Sequence, residues 1–301
     1  MKSRGESRGD GKAIAVDTAA ANEQHYEVPT EFYLGFLGPC MKYSSCEWEL
    51  NNPNDTLEAA EERTLASYAR RVGLDDDGVK RVLDIGCGWG SFTLWAAKKY
   101  PQLSFTCFSN SATQIAHITQ SAKERGLSNV RATRLDINKL SLQNLGETKP
   151  FDRIVSIECL EHSENYELLF ERIASLMTPA GKFFCQILGH REYTYKMDSE
   201  TSWMARNFFT GGTIPSTRLF LHCNKHLCVD AQDVIPGTHY KKTLDTWLER
   251  MYANQQGLTK ILGSGAAFTK WRMFHLLCAE SFGLREGKEY LVAYYTFSRR
   301  K

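Results

Sequence analysis

The chain has 301 residues, 42% of them hydrophobic and 24% charged, and its 37 Lys plus Arg nearly cancel its 35 Asp plus Glu, leaving a formal net charge of +2. That length can bury a sizeable core, and the apolar share excludes wholesale disorder. No apolar run approaches the ~20 residues that span a bilayer, and the balanced charge builds no field that would gather nucleic acid or anionic membrane; neither nucleic-acid partners nor stable membrane insertion is expected.

Residues 1–22 are rich in Gly, Ser and Ala with mixed charge and read as a flexible tail. The opening Met1-Lys-Ser-Arg-Gly-Glu-Ser lacks the apolar stretch of a secretory signal. Nine cysteines, an odd number without a CxxC pair, therefore read as reduced thiols in a cytoplasmic protein. The aromatics of Tyr26 to Tyr43 suggest a short amphipathic helix, and Asp55 or Thr56 caps a second one running to about Val72.

From residue 81 strand and helix patterns alternate. Strands are expected over 81–85, 103–108, 130–135, 152–157 and 181–188, with helices to Tyr100, over 112–125 and over 166–177. Short apolar strands separated by helices predict an α/β fold: a doubly wound, mostly parallel sheet covered on both faces. After Leu188 the rhythm breaks into an aromatic, Gly-rich insertion, a return strand near 229–235, helices over 243–254 and 266–282, and a last strand over 289–297. One domain is expected over 23–301: N-terminal helices (23–78), a ligand-binding half (79–189), a lid insertion (190–242), and closing helices and strand (243–301).

The sharpest signal is Val82-Leu-Asp-Ile-Gly86-Cys-Gly88-Trp-Gly90. Glycines directly after a strand and opening a helix expose backbone N–H groups at a positive helix end. A dinucleotide site would space them GxGxxG with an acid ~20 positions later; here the spacing is GxGxG, Asp84 precedes it, and 106–110 holds no acid. Asp-x-Gly-x-Gly is instead similar to the S-adenosylmethionine loop of class I methyltransferases. Asp84 would meet the charged methionine end while Gly86, Gly88 and Gly90 let the backbone pass close. Asp136, just past the third strand, stands where an adenine amino group would lie.

A second signal is Ile157-Glu158-Cys-Leu-Glu161-His162-Ser-Glu164. Glu158 ends the fourth strand, where open α/β sheets bind ligands, and a helical turn there would bring Glu158, Glu161 and His162 to one face. Carboxylates hold an ammonium, and a His of near-neutral pKa accepts its proton, which suits amine methylation. Glu164 reads as a helix-start acid. The cluster His222-Cys-Asn-Lys-His226-Leu-Cys228 carries metal-ligand types without a convincing zinc spacing, so no metal is expected. No GxSxG elbow supports hydrolase chemistry.

Ala21-Asn-Glu-Gln-His-Tyr-Glu-Val-Pro-Thr30, Lys42-Tyr-Ser44, Leu83 to Ser91, Ile157 to His162, Phe208-Phe-Thr-Gly-Gly-Thr-Ile-Pro-Ser216 and His239-Tyr240 together resemble the cyclopropane-fatty-acid synthase superfamily, and within it the coclaurine N-methyltransferase-like branch. The resemblance runs from about residue 21 to the C-terminus. It implies a seven-stranded class I methyltransferase fold with a helical lid, and S-adenosylmethionine as cofactor. It implies that Tyr43, Ser44, Gly86, Gly88, Ser109, Asn110, Gln114, Asp136 and Ile137 contact that cofactor, and that Glu158, Glu161 and His162 deprotonate an amine. Cys278 matches a cysteine proposed as active in the lipid branch, although burial statistics favour a core thiol.

The lipid branch holds a bicarbonate partly through a cysteine after Tyr-Ser; here that position is Ser45, with Cys46 displaced by one, and Cys185-Gln186-Ile187 stands where a His is expected, although Tyr240 is kept. The expectation is therefore an S-adenosylmethionine-dependent N-methyltransferase of a small, aromatic or cyclic amine. Trp203, Phe208, Phe209 and Tyr240 would enclose the acceptor, with cation–π shielding of an ammonium. Methyl or methylene transfer to an unsaturated acyl lipid, and cofactor binding without catalysis, are the alternatives; a homodimer is compatible with either.

Overall fold

The computed structural model describes residues 13–15, 28–198 and 200–300. The tail expected over 1–22 lies outside them except at 13–15, where the chain is held. Ile14 and Ala15 are buried, and their N–H groups donate to Asn138 Oδ1 at 2.7 and 3.1 Å. Ile14 O in turn accepts from the N–H groups of Glu164 and Asn165.

The first described helix is shorter than the aromatic run suggested: α1 covers Thr30–Leu34, and Phe32 and Tyr33 are buried, while Tyr26 is outside the described residues. Helix α2, Leu57–Val72, starts where Thr56 accepts a hydrogen bond from Ala59 N and ends at Gly73 in the left-handed region. Then follow β1 (Arg81–Ile85), α3 (Ser91–Lys99), β2 (Ser104–Ser109), α4 (Ala112–Glu124), β3 (Val130–Arg134), β4 (Phe151–Ile157), α5 (Tyr166–Leu176) and β5 (Met177–His190). The insertion holds a two-stranded ribbon, β6 (Tyr195–Lys196) and β7 (Thr213–Ile214), around α6 (Trp203–Asn207). The chain returns through β8 (Leu227–Pro236), α7 (Gly237–Ala253), α8 (Gln255–Leu262), α9 (Gly265–Gly287) and β9 (Tyr290–Arg299).

The sheet order is β3-β2-β1-β4-β5-β9-β8. The first five strands pair in parallel, and β9 runs antiparallel to both β5 and β8. Alternation along each strand divides the core between the two faces. Leu83, Ile154, Phe183 and Phe297 are register partners across four strands and share one cluster. Val82, Val155, Phe184 and Tyr294 face the other cluster, against α1, α2, α7 and α9. Both faces are covered, which is why these strands read as near-continuous apolar runs. The order in which strands are added reverses between β1 and β4, so the carboxyl ends of those two parallel strands flank the crevice where such sheets take ligands. Among the described residues no helix is long and apolar enough to cross a membrane, and all nine cysteines are free.

Candidate active site

The crevice holds two cavities that share a wall. The first, about 140 Å³, is bordered by the ends of β1, β2 and β4 and by Tyr43, Ser44, Asp84, Gly86, Gly88, Ser109, Asn110, Gln114 and Ile137. Gly86, Gly88 and Gly90 have φ of 67°, 52° and 79°, values that ordinary side chains rarely adopt. A Cβ on Gly86 would stand 2.2 Å from Cys159 Sγ, whereas one on Gly88 would meet nothing within 4 Å. Gly88 is thus bare backbone facing the cavity.

Gly90 does not border it. Its Cβ would strike Ile118 at 2.7 Å, so this glycine lets α3 and α4 pack closely. Asp136 also stands back: its carboxylate accepts from Asn138 N at 2.8 Å, capping a single 3-10 turn, while its neighbours Leu135 and Ile137 line the cavity. Among residues the sequence reading passed over, Trp89 and Cys159 complete the wall, and Ala15 closes it from the N-terminal strap.

Asp84 is 2% exposed and accepts one side-chain hydrogen bond, from Thr93 Oγ1 at 2.7 Å. Burial pushes its pKa up to about 7, against the lowering effect of Thr93. A buried carboxylate held by the hydroxyl and N–H of Thr93, with no cation beside it among the described residues, calls for a positive partner. An amino group is such a partner, and the glycine backbone beside it can approach a carboxylate or a ribose. The cavity therefore fits S-adenosylmethionine by its donor set.

The second cavity, about 450 Å³, lies under the insertion and is lined largely by apolar groups, among them Trp203, Phe209, Leu244, Trp247 and Phe274. Tyr43, Glu158 and His162 border both cavities, and Glu161, Tyr240 and Cys278 border the second. Phe208 does not line it, contrary to the sequence expectation. It is 2% exposed, stacks on Phe274 at 4.3 Å and meets Trp271 edge-on at 4.9 Å, which makes it core.

The acid-histidine cluster forms without the α-helical turn expected for it. Glu158 leaves β4 with φ 47°, and Leu160–His162 is a 3-10 turn. The strained turn aims Glu158 back across the sheet edge. Its Oε1 accepts from Ser45 N at 3.1 Å and from Gln186 Nε2, and its Oε2 from Tyr240 OH at 2.6 Å. Burial raises its pKa, opposed first by Lys42 and then by these hydrogen bonds. Glu161 is 1% exposed; its Oε1 accepts from Leu188 N at 2.6 Å, and its Oε2 is buried with no partner. Burial, then the negative Glu158, hold it well above the usual carboxylate range.

His162 differs from expectation. Burial lowers it to about 4, so it is a neutral imidazole 5.1 Å from the Phe209 ring, an acceptor rather than a near-neutral base. Burial first, with Glu158 adding to it, pushes Cys278 up to about 12, the state of an inert thiol. Among the described residues no group of three or more His, Cys, Asp and Glu side chains converges on a metal position.

The profile of the mycolic acid cyclopropane synthetase family matches residues 15–291. The (S)-coclaurine N-methyltransferase of Thalictrum flavum subsp. glaucum is 30% identical over 300 residues, covering 95% of this chain and 81% of that one. A crystal structure of coclaurine N-methyltransferase bound to N-methylheliamine and SAH superposes with a TM-score of 0.85 at 28% identity, covering 96% of this chain and 84% of that one. A mycolic acid cyclopropane synthase complexed with SAH and CTAB shares the fold, with a TM-score of 0.78 at 22% identity, covering 95% and 99% of the two chains. The chain belongs to the mycolic acid cyclopropane synthetase family, and it is an S-adenosylmethionine-dependent methyltransferase of the class I fold.

Proposed function

We propose that this enzyme methylates the nitrogen of a small amine carrying an aromatic or alicyclic ring. The observation that carries the reading is Glu161 Oε2, a buried carboxyl oxygen without a partner in the wall of the apolar cavity. A group left so is costly unless the ligand supplies what it lacks, and an ammonium N–H supplies both charge and donor. The match to N-methyltransferases over nearly the whole chain supports the same choice.

The cofactor, when bound, supplies an electrophilic sulfonium methyl. The remaining work falls to the chain. Asp84 and the glycine backbone hold and orient the donor end. Trp203, Phe209 and Trp247 line the acceptor cavity and exclude water, and their ring faces suit a cation. The acceptor enters as an ammonium, and Glu161, having first released its own proton to solvent and become a carboxylate, takes the ammonium proton at Oε2, leaving a nitrogen lone pair. A carboxyl whose proton affinity is raised by burial is better matched to that transfer than an ordinary one. Neutral His162 accepts from a second N–H where the amine has one, turning the lone pair toward the shared wall. What is left is in-line positioning.

Acyl-lipid chemistry is the second reading, and Glu158 weighs against it: both its oxygens already take donors from Ser45, Gln186 and Tyr240. The test is a labelled-methyl assay over a panel of cyclic and arylalkyl amines, with unsaturated phospholipid vesicles, with and without bicarbonate, in parallel. Label in the amine fraction, lost in Glu161→Gln, is the expected result. Label in the lipid alone, or tight cofactor binding with no transfer to any acceptor, would overturn it.

A further inference from the structure

Lys42 borders neither cavity, yet it is 1% exposed. Its Nζ donates to Ser44 Oγ at 2.7 Å and to the Ser45 carbonyl, and lies 5.3 Å from the centre of the Tyr68 ring. Both lines of contact lead to Glu158. The Ser45 N–H donates to Glu158 Oε1. The Tyr68 hydroxyl donates to Gln186 Oε1, which fixes the amide so that its Nε2 donates to the same Glu158 oxygen. Two of the three donors to Glu158 therefore come from Ser45 and from the partner of Tyr68, both groups that Lys42 contacts, and the third is Tyr240 on α7.

The charge balance points the same way. Glu158 faces Glu161 on its own turn, Tyr240 on α7, Cys278 on α9, Tyr68 on α2, and Cys46 and Lys42 on the loop after α1. Of these, Lys42 is the cation. It also faces Glu61, a buried carboxyl on α2. An ionised carboxylate buried this deeply is not sustained without an opposite charge. Once one member of a close carboxyl pair is ionised, the other holds its proton more firmly.

We propose that Lys42 is a positioning residue that keeps Glu158 ionised and aimed at the wall between the two cavities, so that Glu161 alone exchanges the acceptor's proton. The last clause rests on the amine reading above; the first does not. A merely structural lysine would stiffen the 41–46 loop without setting which carboxyl carries the charge.

Difference infrared spectroscopy of the full chain separates the two. At neutral pH the wild type minus Glu158→Gln difference should show a carboxylate and no protonated-carboxyl stretch. Lys42→Met should gain that stretch, and Lys42→Met with Glu158→Gln should lose it again. With a competent amine, the acid limb of kcat in Lys42→Met should move down by about one pH unit or more, because a protonated Glu158 no longer raises Glu161. A protonated Glu158 in the wild type overturns the proposal, and that comparison holds even if Lys42→Met does not fold. A folded Lys42→Met with neither the new stretch nor a moved limb overturns it as well. If no amine is turned over, the proposed function fails while the infrared result still decides the role of Lys42.

Discussion

The two cavities meet at Glu158 and His162 but are built by opposite means. The cofactor cavity takes its polar wall from short runs at the ends of adjacent parallel strands, 84–91, 108–114 and 135–137. Much of that wall is backbone: positive-φ glycines and the start of α3. The acceptor cavity is assembled from separate side chains on the 41–46 loop, β5, the insertion, α7, α9 and β9. The difference teaches where each is vulnerable. The first should fail when backbone geometry changes, the second when side-chain chemistry changes.

The largest expected effects test that division directly. Gly86→Ala forces a Cβ to 2.2 Å from Cys159 Sγ at φ 67°, so this variant should lose cofactor binding and much of its stability. Gly88→Ala, at φ 52° with open space around it, should cost only the left-handed penalty of ~1–2 kcal/mol and keep measurable binding. Thermal unfolding and calorimetry with the demethylated cofactor compare the two, and equal losses would mean that contact with Cys159 is irrelevant. Next, Glu161→Gln should lower turnover by roughly 10²–10⁴-fold with cofactor affinity unchanged. A parallel fall in affinity would show that the cavities are not separable.

The same difference governs what the sequence could reveal. Strand–glycine–helix chemistry is local, so β1 to β5, the helices between them and the glycine run at 84–88 are legible from spacing, whereas 109–114 enters only through the family resemblance. The errors fall where tertiary packing decides. Gly90 belongs to the same motif as Gly86, but its role is set by Ile118 on another helix. Phe208 and Phe209 are adjacent and chemically alike; one packs on Phe274 and the other faces the acceptor cavity, because the chain leaving α6 turns between them. The neutral state of His162 follows from burial, which no local pattern encodes. In sequence Gln186 reads only as a missing histidine, and its bond to Glu158 depends on a tyrosine 118 residues away. Lys42 stands in sequence only as part of Lys42-Tyr-Ser44, with no pattern that gives it a role of its own.

Asp84 gives a sharper test of the cofactor side through pH. Its folded pKa is about 7 against an ordinary 3.8, so the fold favours the protonated form. The stability this adds is fully present below about pH 3.8 and is lost as pH rises through about 7, a change on the order of a few kcal/mol. Asp84→Asn should remove that slope, so that the difference in unfolding free energy between the cofactor-free wild type and the variant changes steadily from pH 4 to pH 7. Glu158 and Glu161 share the sign, while buried neutral His162 and His275 act oppositely, losing stability as pH falls. Because those groups remain in both proteins, the difference isolates Asp84. A pH-independent difference would mean that the carboxylate is already compensated within the chain, which would weaken the case for an amino group there.

The smallest effects separate the neighbouring aromatics of the insertion. Phe208→Ala removes a ring buried between Phe274 and Trp271 and should destabilise by ~3 kcal/mol, lowering the unfolding midpoint while KM for the amine stays near the wild-type value. Trp203 is 36% exposed and borders the acceptor cavity. Trp203→Ala should change stability by less than ~1 kcal/mol but raise KM several-fold, because the ring contributes to holding the acceptor rather than the fold. Chemical denaturation beside steady-state kinetics reads both quantities on the same preparations. If instead Phe208→Ala moved KM and Trp203→Ala moved only stability, the lining of the acceptor cavity would have to be redrawn around α6. The amine would then sit against the face of that helix now counted as core.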